Sequence, residues 1–440
     1  MKRAAFGVLL GILAGCAPAA VDYGKLEDAA NARQRWADGS VREAGRDVKR
    51  LLARPLTLDS AARIALLNNR GARAAAEQLG IAQAEAASAW RVPNPTLEGA
   101  LRFHGDGAPE IELGAMLDVS AFLLHIPRGN AAEADVAATK LEAVGALIDL
   151  AYDARRALID VQAALELLEL RKTVLSSFEA SALTAERLRQ AGNITQLTLA
   201  AEQAQREEAR LELEQARADV EVARQRLSGL LGVFGQDTGW TAQPGLSAIP
   251  ERELPLERLE RDALVGSLEM SAARERYTAA ARHLGVARAS GWLPELKAGV
   301  SAERSEEWGI GPAVELELPL FYQGQGEVGV ARAQQKQAEH SYADLAVQVR
   351  SAARAAKARL ETARLGVIQA RDVILPLRQR VLEQTQLEFS AMLVGVFELL
   401  QAKREQLDAA EHYLELRQRY WLARLDVEQL LAGRRGVPHD

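Results

Sequence analysis

Two apolar patterns alternate along this chain, one with helical spacing and one with strand spacing, and the whole series is written twice. Leu213, Ala216, Val220, Ala223, Leu227 and Leu230 form a 3-4-3-4-3 ladder, and Tyr413, Leu416, Tyr420, Ala423, Val427 and Leu430 repeat it in the same phase. That is the stripe of an amphipathic helix. Each ladder stops at a glycine, Gly232 and Gly433, where a helix C-terminus needs a left-handed residue. Upstream, Pro95 with Phe122 is matched by Pro294 with Phe321, and Pro55-Leu56 by Pro255-Leu256. The repeat spacing is about 200 residues, so the architecture is a twofold internal repeat.

Each half reads as helix, two short strands, very long helix, break, helix. Residues 57–90 are expected to be helical, opened by Thr57 or Asp59 and closed ahead of Pro93. Residues from about 129 to 190 lack proline and are dense in Ala, Leu, Glu, Arg and Gln; at 1.5 Å per residue such a helix would be about 90 Å long. No globular core is that wide. Leu141, Val144, Ile148, Ala151, Leu158, Val161, Leu165 and Leu168 hold a heptad seam interrupted by Arg155, and Leu147, Leu150 and Ala154 add a second stripe. A helix with two seams packs on both sides, as in a cylinder of coiled coils. The counterpart runs from about 327 to 390, with Pro376 as an expected kink.

The period changes to two after Pro95. Leu97, Gly99, Leu101 and Phe103 alternate with Glu98, Ala100, Arg102 and His104, Gly105-Asp106-Gly107 supplies a turn, and Ile111, Leu113, Ala115, Leu117 and Val119 return against Glu112, Gly114, Met116, Asp118 and Ser120. In the second half Leu296, Ala298, Val300 and Ala302 oppose Glu295, Lys297, Ser301 and Glu303; Ile310, Val314, Leu316 and Leu318 then alternate with Gly311, Ala313, Glu315 and Glu317. Strands of about ten residues are long enough to cross a bilayer when tilted. Four strands cannot close a barrel, and open edges in lipid leave backbone groups unpaired at several kcal/mol each. The edges must therefore pair with further copies. Two copies give a barrel filled by its own side chains, whereas three give twelve strands and an open pore. Glu98, Arg102, Glu112, Lys297, Glu315 and Glu317 are the expected lumen residues.

The organisation expected is a segment 1–15 that is removed, an N-terminal belt 16–55, repeat 1 over 56–232 with its hairpin at 95–120, a linker 233–254, repeat 2 over 255–433 with its hairpin at 294–319, and a tail 434–440. The fold class is mixed and mainly α: a long coiled-coil α-barrel with two hairpins contributing to a trimeric twelve-stranded transmembrane β-barrel. Lys2 and Arg3 precede the apolar run Ala4–Gly15, which reads as an export signal too short for a bilayer span. Leu13-Ala14-Gly15-Cys16 resembles the bacterial lipobox, whose cysteine is acylated and becomes the mature N-terminus; Ala17 in place of an aspartate favours the outer membrane.

Composition narrows the function. In 440 residues, 48% are apolar, only 5% aromatic and 26% charged, with a formal charge of −6. No basic excess is available for nucleic acid. One cysteine makes neither an internal disulfide nor a Cys-based zinc site. No stretch of 18 apolar residues offers an α-helical span.

Together the lipobox, Ala65-Leu66-Leu67-Asn68-Asn69, the strand start Pro93-Asn94-Pro95, Leu318-Pro319-Leu320-Phe321 before the second long helix and the twofold repeat resemble the bacterial outer-membrane efflux channel family, the TolC-like outer-membrane factors of lipoprotein type. The resemblance implies a homotrimer, a periplasmic adaptor (membrane fusion) protein and an inner-membrane pump as partners, and no cofactor. It also implies that the breaks between long and short helices form the periplasmic tip. These are Arg187-Leu188-Arg189-Gln190-Ala191-Gly192-Asn193 and Phe389-Ser390-Ala391-Met392-Leu393-Val394-Gly395; adaptor docking falls on Arg187, Leu188, Gly192, Asn193, Met392, Leu393 and Gly395. Met392 stands where Gly192 would align, and Arg70 stands where many relatives have proline. On backbone grounds alone, both breaks also fit plain helix-to-helix corners.

Three chemical readings fall away. Gly324-Gln325-Gly326-Glu327-Val328-Gly329 has the spacing of a dinucleotide fingerprint, but no parallel strand follows within a βαβ length. Glu411-His412 lacks a second histidine, and His104, His125, His283, His340, His412 and His439 are scattered without ligand spacing. No Ser-centred nucleophile elbow occurs, so an enzyme is not expected. A passive export duct is the favoured reading; a lipid-anchored periplasmic coiled-coil structural or adaptor protein without a pore is the alternative.

Overall fold

The computed structural model describes residues 44–103, 109–304, 307–318 and 320–436, with 22, 24–26 and 28–29 near the N-terminus. The signal segment 1–15, Cys16, most of the 16–55 belt, the turn Gly105-Asp106-Gly107, Pro319, His104, His439 and residues 437–440 lie outside them. In chain order the elements are α1 (Ala44–Leu52), α2 (Leu58–Asn68), α3 (Arg70–Ala89), β1 (Thr96–Arg102), β2 (Glu110–Asp118), α4 (Val119–Gln190) and α5 (Gln196–Leu231). Then follow α6 (Leu259–Gly266), α7 (Leu268–Trp292), β3 (Leu296–Arg304), β4 (Trp308–Leu316), α8 (Gln325–Gln369), α9 (Leu375–Ser390) and α10 (Val396–Leu431). None of the described helices is long and apolar enough to cross a membrane.

Two boundaries differ from those the sequence predicts. Residues 57–90 are two helices, because Asn69 is extended at φ −69°, ψ 117°. Its carboxamide serves both ends: Oδ1 accepts the Ala72 N–H at 3.1 Å, capping α3, while Nδ2 donates to Leu230 O at 2.9 Å. Asn68 Nδ2 donates to Leu231 O at 3.0 Å and Gly232 O at 2.8 Å. The two asparagines thus satisfy the orphan carbonyls that end α5. Ser267 makes the same break in repeat 2, at φ −63°, ψ 120°. Arg70, at the first helical position after the break, occupies a site where proline fits without losing a bond.

The second difference is at the start of α4. The alternation predicts a hairpin to Ser120, but the strand ends at Asp118 and the helix begins at once, with Pro127 inside it. Asp118 Oδ1 accepts the Ala121 N–H at 2.8 Å and the Ser120 hydroxyl at 2.7 Å, an N-cap that fixes the turn from strand to helix. The second long helix is interrupted next to Pro376, where the sequence predicts it. The i→i−4 ladder widens to a π turn over Ala370–Ile374, so that proline, which has no N–H to give, opens α9.

The chain divides into two compact units, each pooling matching pieces of both repeats. One holds Ala74–Val144, Leu268–Val347 and the described part of Met1–Leu26; the other holds Gly145–Ser267 and the described parts of Glu27–Arg73 and Gln348–Asp440. The first contains a four-stranded antiparallel sheet in the order β1-β2-β3-β4. Beside it α7 is tied to α4 by Arg276 with Glu142 at 2.9 Å and by His283 Nε2 with Asp135 at 2.7 Å. In the second unit Leu56, Ile64, Leu158, Val161, Leu227, Leu231 and Trp240 make one apolar core. Leu158 and Val161 are seam positions of the long helix, and Leu227 is a rung of the first ladder.

Sequence periodicity gave no structure for the 233–254 linker; side chains hold its carbonyls instead. Gln162 donates to Gln243 O at 3.0 Å, Trp421 to Ser247 O at 3.0 Å and Arg364 to Pro250 O at 2.9 Å, and Arg417 reaches Leu246 O. Glu253 closes the strap, accepting from the Tyr420 hydroxyl at 2.6 Å and pairing with Arg364 and Arg424. Burial and that hydrogen bond push the Tyr420 phenol up to about 12.

Candidate functional site

Strand register sorts the sheet into two faces. Glu98 lies opposite Gly114, Ala100 opposite Glu112, Glu112 opposite Glu303, Gly114 opposite Ser301, and Lys297 between Asp118 and Glu315. Hence Glu98, Arg102, Glu112, Lys297 and Glu315 share one face, as period-two alternation requires. Glu317 extends that face by one pair beyond β4, its N–H donating to Glu295 O at 3.0 Å. Arg102 pairs with Glu112 at 3.2 Å and Lys297 with Glu315 at 3.0 Å. Glu98, Glu110, Asp118 and Glu303 leave the face acidic. Between the charges stand Ala100, Gly114, Gly299, Gly311 and Ala313, which raise little bulk above the sheet.

The opposite face is apolar from strand to strand: Leu97 and Leu101, Leu113 and Leu117, Ala298 and Val300, Ile310 and Val314. It is also bare. Leu97 is 83% exposed, Ile310 77% and Val314 69%. So continuous an apolar surface on a soluble monomer would be an aggregation site; in lipid it is a matched boundary. Among the described residues, β1 and β4 each keep one edge without a strand neighbour.

The two helix corners lie in the other unit and are geometrically the same turn. At the first, Gly192 has φ 78°; its N–H donates to Arg189 O at 3.0 Å and the Asn193 N–H to Leu188 O at 2.9 Å. At the second, Met392 has φ 59°, its N–H donates to Phe389 O at 3.0 Å and the Leu393 N–H to Glu388 O at 2.9 Å. Both are left-handed C-terminal caps with a 6→1 and a 5→2 bond. Thr195 caps α5 by accepting the Thr198 N–H at 3.1 Å, whereas Gly395 opens α10 without a side-chain cap. The shift of glycine from Gly192 to Gly395 therefore changes the residue at the cap and leaves the turn intact. Met392 is 93% exposed, Leu393 75% and Leu197 80%, and Arg187 is also exposed, so both corners present apolar side chains to solvent.

Gly324, first of the six-residue glycine pattern, has φ 72° and lies against Gly291; a Cβ on Gly324 would come within 3.2 Å of the Gly291 Cα. Backbone crowding where β4 gives way to α8 explains that glycine. The Asn69 and Ser267 breaks and the carbonyl-binding arginines Arg364 and Arg417 are not legible in the apolar periodicity. Only the Asn68-Asn69 pair carried a readable signal, since side-chain amides favour helix ends.

No family model matches the chain. It is 25% identical over 382 residues, 86% of this chain and 90% of the relative, to the cobalt-zinc-cadmium resistance protein CzcC of Cupriavidus metallidurans. Among solved structures it is similar to CusC, with a TM-score of 0.70, 18% identity and coverage of 95% of this chain and 98% of that one. The outer-membrane channel OprN aligns with a TM-score of 0.72 at 18% identity over 92% of this chain and 96% of that one. For the Campylobacter jejuni CmeC outer-membrane channel the TM-score is 0.71 at 16% identity, over 91% of each chain. In fold, and along nearly its whole length, this chain is similar to CusC and to the outer-membrane channels OprN and CmeC.

Proposed function

We propose that this chain is the outer-membrane channel of a tripartite efflux system: a passive duct that three copies build by joining their β1 and β4 edges into a twelve-stranded barrel. The two-faced sheet carries the reading. A bare apolar face, an acidic face and two open edges make sense only when lipid covers the first, water fills the space behind the second and further strands meet the third. Glu98, Arg102, Glu112, Lys297, Glu315 and Glu317 then line the lumen. Arg187, Leu188, Gly192, Asn193, Met392, Leu393 and Gly395 form the tip that an adaptor protein grasps, and Cys16 carries the lipid. Energy comes from an inner-membrane pump. The relative named for cobalt, zinc and cadmium resistance supports cations as cargo, and a carboxylate-lined passage suits them.

Conductance in planar bilayers tests this. Trimers should conduct and prefer cations at low salt, with the preference fading as salt screens the carboxylates. Replacing Glu98, Glu112 and Glu315 together by Gln should cut the cation-to-anion permeability ratio by about half or more. Anion preference in the unmodified protein would reject the lumen assignment; no conductance, with release of a Cys16→Ser variant from membranes, would favour a lipid-anchored protein without a pore.

A further inference from the structure

Arg155 interrupts the apolar seam of α4, and in the second unit it lines a cavity of about 590 Å³. A leucine at that seam position would continue the packing between Ala151 and Leu158. The arginine is instead buried, with 7% of its side chain exposed; its Nη2 donates to Asp59 Oδ1 of α2 at 3.1 Å and its guanidinium lies over the Tyr152 ring, 4.9 Å from the centroid. Leu58 of α2, Leu254 of the linker and Leu425 and Leu431 of α10 give the cavity an apolar wall. Leucine walls with a few charged groups, at this volume, have the form of a small-molecule site.

Charge decides what the cavity would take. Three carboxylates line it, Asp59, Asp262 of α6 and Glu428 of α10, against two guanidinium groups, Arg155 and Arg424. Arg424 is shared: its Nε donates to Glu428 Oε1 at 3.1 Å, while its Nη1 donates to Glu253 of the linker. Tyr152 is buried and its phenol is pushed up to about 12, so it adds no charge. Burial holds the Glu428 carboxyl above the usual carboxylate range even with both arginines near, which leaves its negative charge under-compensated. A further cation would supply what is missing. Among the described residues no three acid, histidine or cysteine side chains stand together to hold a metal ion, whereas the leucines suit a ligand with an apolar body.

We propose that this cavity binds a monovalent organic cation, its charge set against Glu428 and Asp262 and its apolar body along Leu58, Leu254, Leu425 and Leu431. The site uses none of the lumen or corner residues, so it stands or falls apart from the channel reading. Fluorescence titration of proflavine, a planar aromatic monocation, into the full-length protein in detergent at pH 8 tests it, with fluorescein as an anionic control. Proflavine should saturate at one per chain, and fluorescein should show no saturable binding. Glu428→Gln should weaken proflavine about tenfold, because a buried charge is lost, and the exposed Asp262→Asn about twofold. Leu254→Trp, which fills the cavity, should abolish saturation. Arg155→Leu restores the seam and removes a positive charge from the cavity, and should tighten proflavine about threefold. Tighter binding cannot come from a variant that unfolds, so this variant keeps the test decisive if the others lose their fold. Uptake that never saturates, or an affinity equal in all four variants, would be partition into micelles only and would overturn the proposal. Saturable fluorescein binding would show that the arginines rule the site and would overturn the assignment of a cation.

Discussion

The second corner stores a backbone cost that a single substitution should release. Met392 is the one non-glycine residue with positive φ among the described residues, at 59°, and its counterpart at the first corner is Gly192. A side chain with a Cβ costs about 1–2 kcal/mol in the left-handed region. Met392→Gly removes that cost, and the 93% exposed side chain forfeits almost no packing. Against it stands the greater freedom of glycine in the unfolded chain, about 0.5–1 kcal/mol. The net gain is about 0.5–1 kcal/mol, which is two- to fivefold in a local opening equilibrium. The reverse change is cleaner. A Cβ on Gly192 meets nothing within 4 Å, so Gly192→Met imposes the backbone cost without a clash. Amide hydrogen exchange of the corner segments reads both, since the Met392 and Leu393 amides are held by Phe389 O and Glu388 O, and those of Gly192 and Asn193 by Arg189 O and Leu188 O. Exchange at 391–394 should slow two- to fivefold in Met392→Gly, and exchange at 191–194 should quicken by a similar factor in Gly192→Met. Faster exchange in the first variant, or none in the second, would refute the argument from backbone conformation.

Asn69→Ala removes the cap of α3 and a donor to the end of α5; a loss of about 2 kcal/mol should lower the temperature at which trimers dissociate, read by gel mobility after graded heating. The His283–Asp135 contact should make that temperature pH-dependent. Its hydrogen bond to Asp135 holds His283 above the usual imidazole range, so its contribution is complete below about pH 6.5 and disappears as pH rises through the raised value. Arg276 also faces Asp135, at 3.6 Å, and stays charged throughout. Asp135→Asn should flatten that part of the profile, and an unchanged slope would show that His283 does not titrate with stability. Cys16→Ser should remain in the outer-membrane fraction, because a barrel holds without its lipid; complete release would count against the barrel.

Much of this architecture is legible in the residues because each element obeys a local rule. The ladders ending at Gly232 and Gly433 and the alternation of Glu98, Ala100 and Arg102 with Leu97, Gly99 and Leu101 are periodicities of single elements. What escaped was decided between elements. Helical periodicity runs unbroken from Leu66 through Ala72 to Leu79, and the chain breaks at Asn69 because the end of α5 needs its amide. Met392 takes the left-handed turn although glycine is three residues away, since the 6→1 and 5→2 bonds fix the corner from the length of α9. The linker has no period at all; carbonyl acceptors for Arg364, Arg417 and Trp421 belong to the fold and leave no mark on its own sequence. The candidate lumen was readable for the same reason as the strands, whereas Glu428 looks like any other acid on α10 until α4 and α6 bring Arg155 and Asp262 to the same cavity.

Native mass spectrometry of the full-length protein in detergent tests the central claim most directly, because four strands with two open edges cannot seal a barrel alone. Three copies per particle, persisting until the sheet unfolds, is the predicted result. A stable single copy with β1 to β4 folded would contradict the account.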